Sequence, residues 1–167
     1  IKTRRLGYDG KGQILVKTLD DINDHFLGEK LCPSIAEEVI SFDRELSVII
    51  VRDKEGNIKT FEPGENVHKK GILITTTLPS STSEVLKNDA VTIARKIVAN
   101  LDYIGVMGVE FFLKENELYV NEIAPRVHNS GHWTMDGSFS SQFQQHIRAI
   151  MDLPLLSTER HFDITMY

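Results

Sequence analysis

Cysteine is almost absent: Cys32 stands alone among 167 residues. No disulfide can form within the chain, and the compartment expected from this is reducing and cytoplasmic. Long apolar runs are missing as well. The best stretch, Leu46–Val51, is interrupted by Ser47 and falls far short of the ~20 residues that span a bilayer, so no transmembrane helix is expected. No basic segment followed by an apolar one opens the chain, as a secretory leader would. Positive charge is in deficit, with 19 Lys and Arg against 24 Asp and Glu and a net charge of −5, which disfavours a non-specific hold on nucleic acid or an anionic membrane. An initiator methionine is lacking too, since the chain opens at Ile1; the expectation drawn from it is a piece cut from a longer protein.

What remains is the composition of an ordinary packed protein, 41% hydrophobic and 26% charged. The length amounts to about one domain. Residues 2–13 hold Gly7, Gly10 and Gly12 among Lys2, Arg4, Arg5 and Lys11 and read as a basic, flexible loop. Gln13–Leu19 predicts a strand and Asp20–Leu27 a short helix opened by Asp20, Asp21 and Asp24. Ser34–Phe42 alternates poorly, whereas Glu45–Arg52 is a stronger strand; with the turn at Asp53–Asn57 and the return at Ile58–Phe61 it predicts a hairpin. Glu62–Ser83, with Pro63 and Pro79, reads as loop-rich. Ser81 and Glu84 form a capping box for a helix Ser83–Leu101, in which Leu86, Ala90, Ile93, Ile97 and Leu101 make one apolar stripe. Val106–Leu113 and Leu118–Ile123 are strands on either side of Lys114–Glu117, and a second helix, Ser140–Met151, is stopped by Pro154. Hairpins interleaved with helices give an α+β fold with an antiparallel-rich sheet.

Three clusters carry chemistry. A turn centred on Asn116 sets Glu110 opposite Glu122, with β-carbons roughly 4.5–5.5 Å apart. Their strands are otherwise apolar, so the repulsion is poorly screened and calls for a divalent cation, a shared proton or a nearby Arg or Lys. Oxygen ligands favour magnesium, which takes one or two carboxylates together with a substrate's phosphates; an exposed acidic pair on a two-sided sheet, or a turn centre one residue away, is the plain alternative. The glycine loop can bring backbone amides to phosphate, yet it matches neither the Gly-Lys-Ser/Thr loop nor the dinucleotide fingerprint, and a solvated loop explains it equally. Residues 124–133 are dense in oxyanion-binding groups, Arg126, His128, Asn129, Ser130 and His132, with Gly131 admitting the backbone; structural histidines in a polar loop are the plain alternative. A zinc site on His128 and His132 would need both on one helix, which Pro125 and Gly131 oppose. Ser130 lacks the Gly-x-Ser-x-Gly setting of a nucleophile elbow, and Cys32 beside Pro33 reads as a packing residue.

Taken in order, Lys2 to Gln13 with its Gly7-Tyr8-Asp9-Gly10-Lys11-Gly12-Gln13 centre, Glu37-Glu38-Val39-Ile40, Glu45, Glu110 and the run Asn121-Glu122-Ile123-Ala124-Pro125-Arg126-Val127-His128-Asn129-Ser130-Gly131-His132 closely resemble the 5-(carboxyamino)imidazole ribonucleotide synthase family. That family is the ATPase subunit of phosphoribosylaminoimidazole carboxylase and a branch of the ATP-grasp superfamily. The resemblance, which covers essentially the whole chain, implies an ATP- and magnesium-dependent ligase of purine biosynthesis. The reaction that the resemblance implies is one in which ATP phosphorylates bicarbonate to carboxyphosphate, whose carbon passes to the amino group of 5-aminoimidazole ribonucleotide.

By the same resemblance, Lys2 meets the ATP phosphates and Gly7, Tyr8, Asp9, Gly10, Lys11, Gly12 and Gln13 form a loop that closes over them. Glu37, Glu38, Val39 and Ile40 match the strand that bonds adenine, Glu45 the ribose acceptor and His68 a further nucleotide contact. Glu110 and Glu122 match the magnesium ligands, with Asn121 beside them on the nucleotide. Arg126, His128 and Asn129 match the catalytic bicarbonate and carboxyphosphate pocket, and Tyr8, Asp9 and Ser130 face the ribonucleotide. Ala124 stands where many ATP-grasp enzymes carry Asn, which favours the carboxyaminoimidazole branch. Implied besides are an ATP-grasp domain over 1–160 lacking the N-terminal part of its small subdomain, a truncated C-terminal domain opening at 161–167, a fragment inactive by itself, a homodimer in the full-length protein, and small-molecule partners without nucleic acid or membrane. The competing expectations are another ATP-grasp ligase, such as the formate-dependent glycinamide ribonucleotide transformylase, and a non-catalytic nucleotide-binding module.

Overall fold

Arg44–Arg52 (β3) forms the spine of the main sheet, and its alternation decides what each face does. In the computed structural model, which describes residues 1–5, 12–21 and 33–167, the chain divides into two compact units, Ile1–Ser41 with Lys69–Ile72, and Phe42–His68 with Leu73–Tyr167. In the first, Lys2–Thr3 (β1) pairs antiparallel with Ser34–Ile35 (β2). The strand expected over Gln13–Leu19 is reduced to a single bridge between Gln13 and Lys2; Leu15 and Leu19 are exposed and pack into no core cluster of the described residues. Asp20 and Asp21 are helical, while the rest of the expected helix and Cys32 lie outside the described residues.

The second unit holds a seven-stranded sheet. Besides β3 it contains Ile58–Thr60 (β4), Gly64–Lys69 (β5), Ile72–Leu78 (β6), Gly105–Lys114 (β7), Glu117–Ala124 (β8) and Ile164–Met166 (β9), in the order β8-β7-β3-β5-β6-β9 with β4 also on β3. The β3–β4, β3–β5, β3–β7, β6–β9 and β7–β8 pairings are all antiparallel. The antiparallel-rich α+β reading is therefore right, but residues 62–83 are not loop-rich. They carry β5 and β6, and the β-branched run Ile72-Leu73-Ile74-Thr75-Thr76-Thr77 explains why. Pro63 and Pro79, which suggested a loop, lie just outside the strand ends, where no ladder hydrogen bond is lost.

Glu84–Asn100 (α1) covers one face. Its Ala90, Ala94 and Val98 pack on Leu46, Val48 and Ile50 of β3 and on Met107, Val109 and Phe111 of β7. The buried stripe is Lys87, Ala90, Ala94 and Val98, rotated from the expected one: the two alanines admit the helix closely to the sheet, while Ile93 and Ile97 flank it and Leu101 is exposed. The cap is also displaced. Ser83, not Ser81, accepts the Leu86 N–H, because the Ser81 hydroxyl donates instead to Glu65 at 2.7 Å, as does its N–H at 3.0 Å.

On the other face, Ile49 and Val51 join Phe61, Leu78, Val106, Trp133 and Ala149 in a second core, with Trp133 set edge-on to Phe61 at 6.0 Å. Gln142–Ile150 (α3), capped by Ser141, closes over this core, preceded by a short helix Thr134–Gly137 (α2) and a 3-10 turn at Asn129–Gly131. No helix among the described residues is long and apolar enough to cross a membrane.

Candidate functional site

The polar end of the α3-side face begins with Glu45 and Ser47, the two residues of β3 that precede Ile49 and Val51 on that face. Register places Ser47 beside Glu110 on β7 and Glu45 beside Asn66 on β5. Asn66 is buried, and its Oδ1 accepts from Thr76 Oγ at 2.9 Å and Ser47 Oγ at 3.4 Å. This buried layer was not foreseen, because β5 and β6 were read as a loop and a polar residue there carried no meaning.

Glu110 does lie opposite Glu122, but by a different route from the one expected. The turn is a two-residue one at Glu115 and Asn116, both with positive φ, and Lys114 pairs with Glu117. Such a turn matches the twist of the strands it joins. Continued unbroken, that register would set Glu110 against Asn121. A bulge between Glu110 and Phe111 on one strand and Val120 and Glu122 on the other restores the carboxylate pairing. It leaves Asn121 as the extra residue, and the Asn121 Nδ2 lies 3.5 Å from Glu110 Oε2.

Two imidazoles flank Glu110. His68 Nδ1 is 2.9 Å from Glu45 Oε2, and its Nε2 is 4.0 Å from Glu110 Oε1. The hydrogen bond to Glu45 raises the His68 pKa above its ordinary value against the opposing effect of burial, with Glu110 and Glu122 adding to the rise. Burial pushes the Glu110 carboxyl up, and the charges of Glu122 and Glu45 push it further, against the lowering effect of His68. His128 Nε2 lies 3.7 Å from Glu110 Oε1, yet His128 is lowered to about 4, chiefly by burial and then by Arg126. One imidazole thus gains a proton readily while the other stays neutral at physiological pH.

His128 reaches this position because Gly108 has no side chain. A β-carbon there would fall 2.8 Å from His128 Cβ and Cγ. His128 Nδ1 and Ser130 Oγ are 2.8 Å apart, with Ser130 fully buried behind the ring. Arg126 is exposed and donates to the Val127 carbonyl at 2.9 Å; the exposed Asn129 accepts the Ser130 N–H through Oδ1. His132 stands apart, stacked on Phe143 at 5.7 Å. Two residues unmarked by the sequence hold this loop: Tyr103 donates to the Pro125 carbonyl at 2.8 Å, and Gln142 bonds His128 through its backbone.

The structure thus brings Glu45, His68, Glu110, Asn121, Glu122, Arg126, His128, Asn129 and Ser130 onto one unit. Lys2, Gly12, Gln13 and Glu37 to Ile40 belong to the other, where Lys2 Nζ pairs with Glu37 at 2.5 Å; Gly7, Tyr8, Asp9, Gly10 and Lys11 lie outside the described residues. Among the described residues no three His, Cys, Asp or Glu side chains form a cage for a metal ion. Two opposed oxygen donors beside an amide suit magnesium, which completes its shell with water and substrate phosphate.

An ATP-grasp domain matches residues 1–143. The N5-carboxyaminoimidazole ribonucleotide synthase of Brucella melitensis is 50% identical over 99% of this chain and 47% of its own length, so the chain spans about half the length of the curated relatives it matches. Among solved structures, the N5-carboxyaminoimidazole ribonucleotide synthetase of Thermus thermophilus superposes with a TM-score of 0.86 at 40% identity, over 92% of this chain and 43% of that one. The Aspergillus clavatus N5-carboxyaminoimidazole synthase, in complex with ADP and 5-aminoimidazole ribonucleotide, gives 0.81 at 38% identity over 89% and 40%. With the sheet, the carboxylate pair and a sequence match over most of its length in agreement, the chain belongs to the ATP-grasp family.

Proposed function

We propose that this chain supplies the phosphoryl-transfer site of an enzyme that carboxylates 5-aminoimidazole ribonucleotide with bicarbonate at the expense of ATP, a step of purine biosynthesis. The observation that carries the reading is the opposition of Glu110 and Glu122 next to a loop that presents Arg126, neutral His128 and Asn129. The likeness to a protein crystallised with ADP and 5-aminoimidazole ribonucleotide supports the choice of substrates.

Phosphoryl transfer to an anion demands that charge on both partners be neutralised. Glu110 and Glu122, steadied by Asn121, would hold magnesium, whose role when bound is to neutralise the phosphate oxygens. Arg126 and Asn129 would hold bicarbonate while one of its oxygens takes the γ-phosphoryl group and ADP leaves. His128, uncharged, donates or accepts a hydrogen bond there without pairing to Glu110 as an ion. The carboxyphosphate carbon is then attacked by the substrate's amino group, and inorganic phosphate departs. Glu45 and His68 are assigned to the nucleotide, and Ser130 acts through the ring it abuts. The roles given to Lys2, Gly7–Gln13 and Glu37–Ile40 on ATP, and to Tyr8 and Asp9 on the ribonucleotide, rest on resemblance.

ADP release by the intact protein tests the reading against its alternatives. Stimulation by bicarbonate with 5-aminoimidazole ribonucleotide, lost in Glu122→Gln, is expected. Stimulation by formate with glycinamide ribonucleotide, or nucleotide binding without turnover, would overturn it.

A further inference from the structure

His128 is held by something other than the strands around it. Its backbone is extended, at φ −126 and ψ 146, a conformation that normally finds its hydrogen bonds in a neighbouring strand. Here one side chain replaces that strand. Gln142 Oε1 accepts the His128 N–H at 2.9 Å, and Gln142 Nε2 donates to the His128 carbonyl at 2.7 Å. Only one orientation of the amide satisfies both contacts.

The glutamine is itself seated. It is fully buried, and its N–H donates to Thr134 Oγ at 2.9 Å while that hydroxyl donates to the Gly131 carbonyl at 2.6 Å. Gly131 closes the ring by donating its N–H to the His128 carbonyl at 3.0 Å. Neither glycine in this region tolerates a side chain: a β-carbon on Gly131 would meet Gln142 Oε1 at 2.6 Å, and one on Gly108 would meet His128 at 2.8 Å. Gln142 thus presses on the loop from one side and β7 bounds the imidazole on the other.

We propose that Gln142 is a positioning residue that fixes where the His128 imidazole stands relative to Glu110, and so sets the geometry of the pocket for the small oxyanion. The inference rests on the reading of residues 126–130 as that pocket. It adds a fully buried residue 14 positions away that acts through the His128 backbone. Glutamate at this position keeps the shape and the acceptor but loses the donor, which sets a carboxylate oxygen against the His128 carbonyl and leaves that carbonyl with the Gly131 N–H alone.

The test uses the intact protein with Gln142→Glu, and reads steady-state kinetics together with the imidazole nitrogen resonances of His128. A rise of about tenfold in KM for bicarbonate is expected, the size that follows from losing one buried hydrogen bond, with KM for magnesium–ATP within about twofold and the His128 resonances displaced. Equal changes in both KM values, or a lower melting temperature with unmoved His128 resonances, would overturn the proposal. Should Gln142→Glu fail to fold, Thr134→Val removes the hydroxyl that seats the glutamine; a smaller displacement of the same resonances supports the clamp, and none overturns it. A wild-type protein indifferent to bicarbonate would instead overturn the anion-pocket reading, and the resonances would still decide the clamp.

Discussion

Glu110 on β7 faces Glu122 on β8 because Asn121 is bulged out between Val120 and Glu122. Two carboxylates opposed in this way repel one another, and the proposed function sets a cation between them.

Replacing Glu122 by Gln separates these two effects. Without divalent cation the variant is expected to be as stable as the parent or more so, by up to about 1 kcal/mol, since a like-charge pair has been removed. With magnesium–ATP the order reverses, because a ligand present at about 100 times its Kd adds roughly 2.7 kcal/mol to the parent alone. Thermal unfolding with and without the ligand checks both; a variant that is less stable when empty contradicts the repulsion.

Gly108→Ala is expected to cost about 1–3 kcal/mol in urea unfolding, the usual range for forcing a methyl into a packed site. The methyl would enter where His128 sits, 2.8 Å from its Cβ and Cγ. Unchanged stability would mean that the imidazole does not rest on β7.

Acid should weaken the metal-free protein through His128. Its folded pKa is lowered from 6.5 to about 4, so between these values the unfolded chain binds a proton that the folded one refuses. The stability that neutral His128 contributes is whole above pH 6.5 and is lost as pH falls towards 4, by on the order of 3 kcal/mol. His68 acts in the opposite sense: its raised pKa gives a contribution complete below pH 6.5 and lost as pH rises through the folded value. Urea midpoints from pH 6.5 down to 4 should therefore fall more steeply for the parent than for His128→Gln, and parallel curves would refute the assignment.

Ser83→Ala is expected to remove about 1 kcal/mol, the cost of an N-cap, because Ser83 accepts the Leu86 N–H. In a double-mutant cycle Ser81 should couple to Glu65, whose carboxylate it contacts, while Ser83 and Glu65 should be additive.

Much of the fold was legible where pattern and packing agree. The hairpin of β7 and β8 and the long helix α1 announce themselves by β-branched content and by a 3.6-residue period. Of the candidate site, hairpin spacing alone paired Glu110 with Glu122, whereas Glu45 and His68 entered only through motif order, since they lie far from Glu110 in sequence and meet it through the register of β3, β5 and β7. What stayed hidden depends on contacts that one segment makes with another. The bulge at Asn121 has no local signal, and the reading that set Glu110 against Glu122 reached the right pair from a turn centre half a residue out. Gln142 was invisible because a glutamine at a helix start is ordinary until its amide is seen gripping His128. Ser81 looked like a cap by spacing alone, and lost that role because Glu65 on β5 offered its hydroxyl a stronger acceptor.

The alternation of β3 has a consequence for how this protein can change. Leu46, Val48 and Ile50 look into the core beneath α1, and Glu45 and Ser47 look towards the carboxylates. Over Glu45–Val48, core packing and the candidate site thus fall on alternate letters of this nine-residue strand, whose far end returns Ile49 and Val51 to the second core. A library varied only at 46, 48 and 50 would explore melting temperature, and one varied at 45 would explore the candidate site, so that the two selections can proceed in the same strand without contending for the same positions, whereas Ser47, buried and bonded to Asn66, belongs to both.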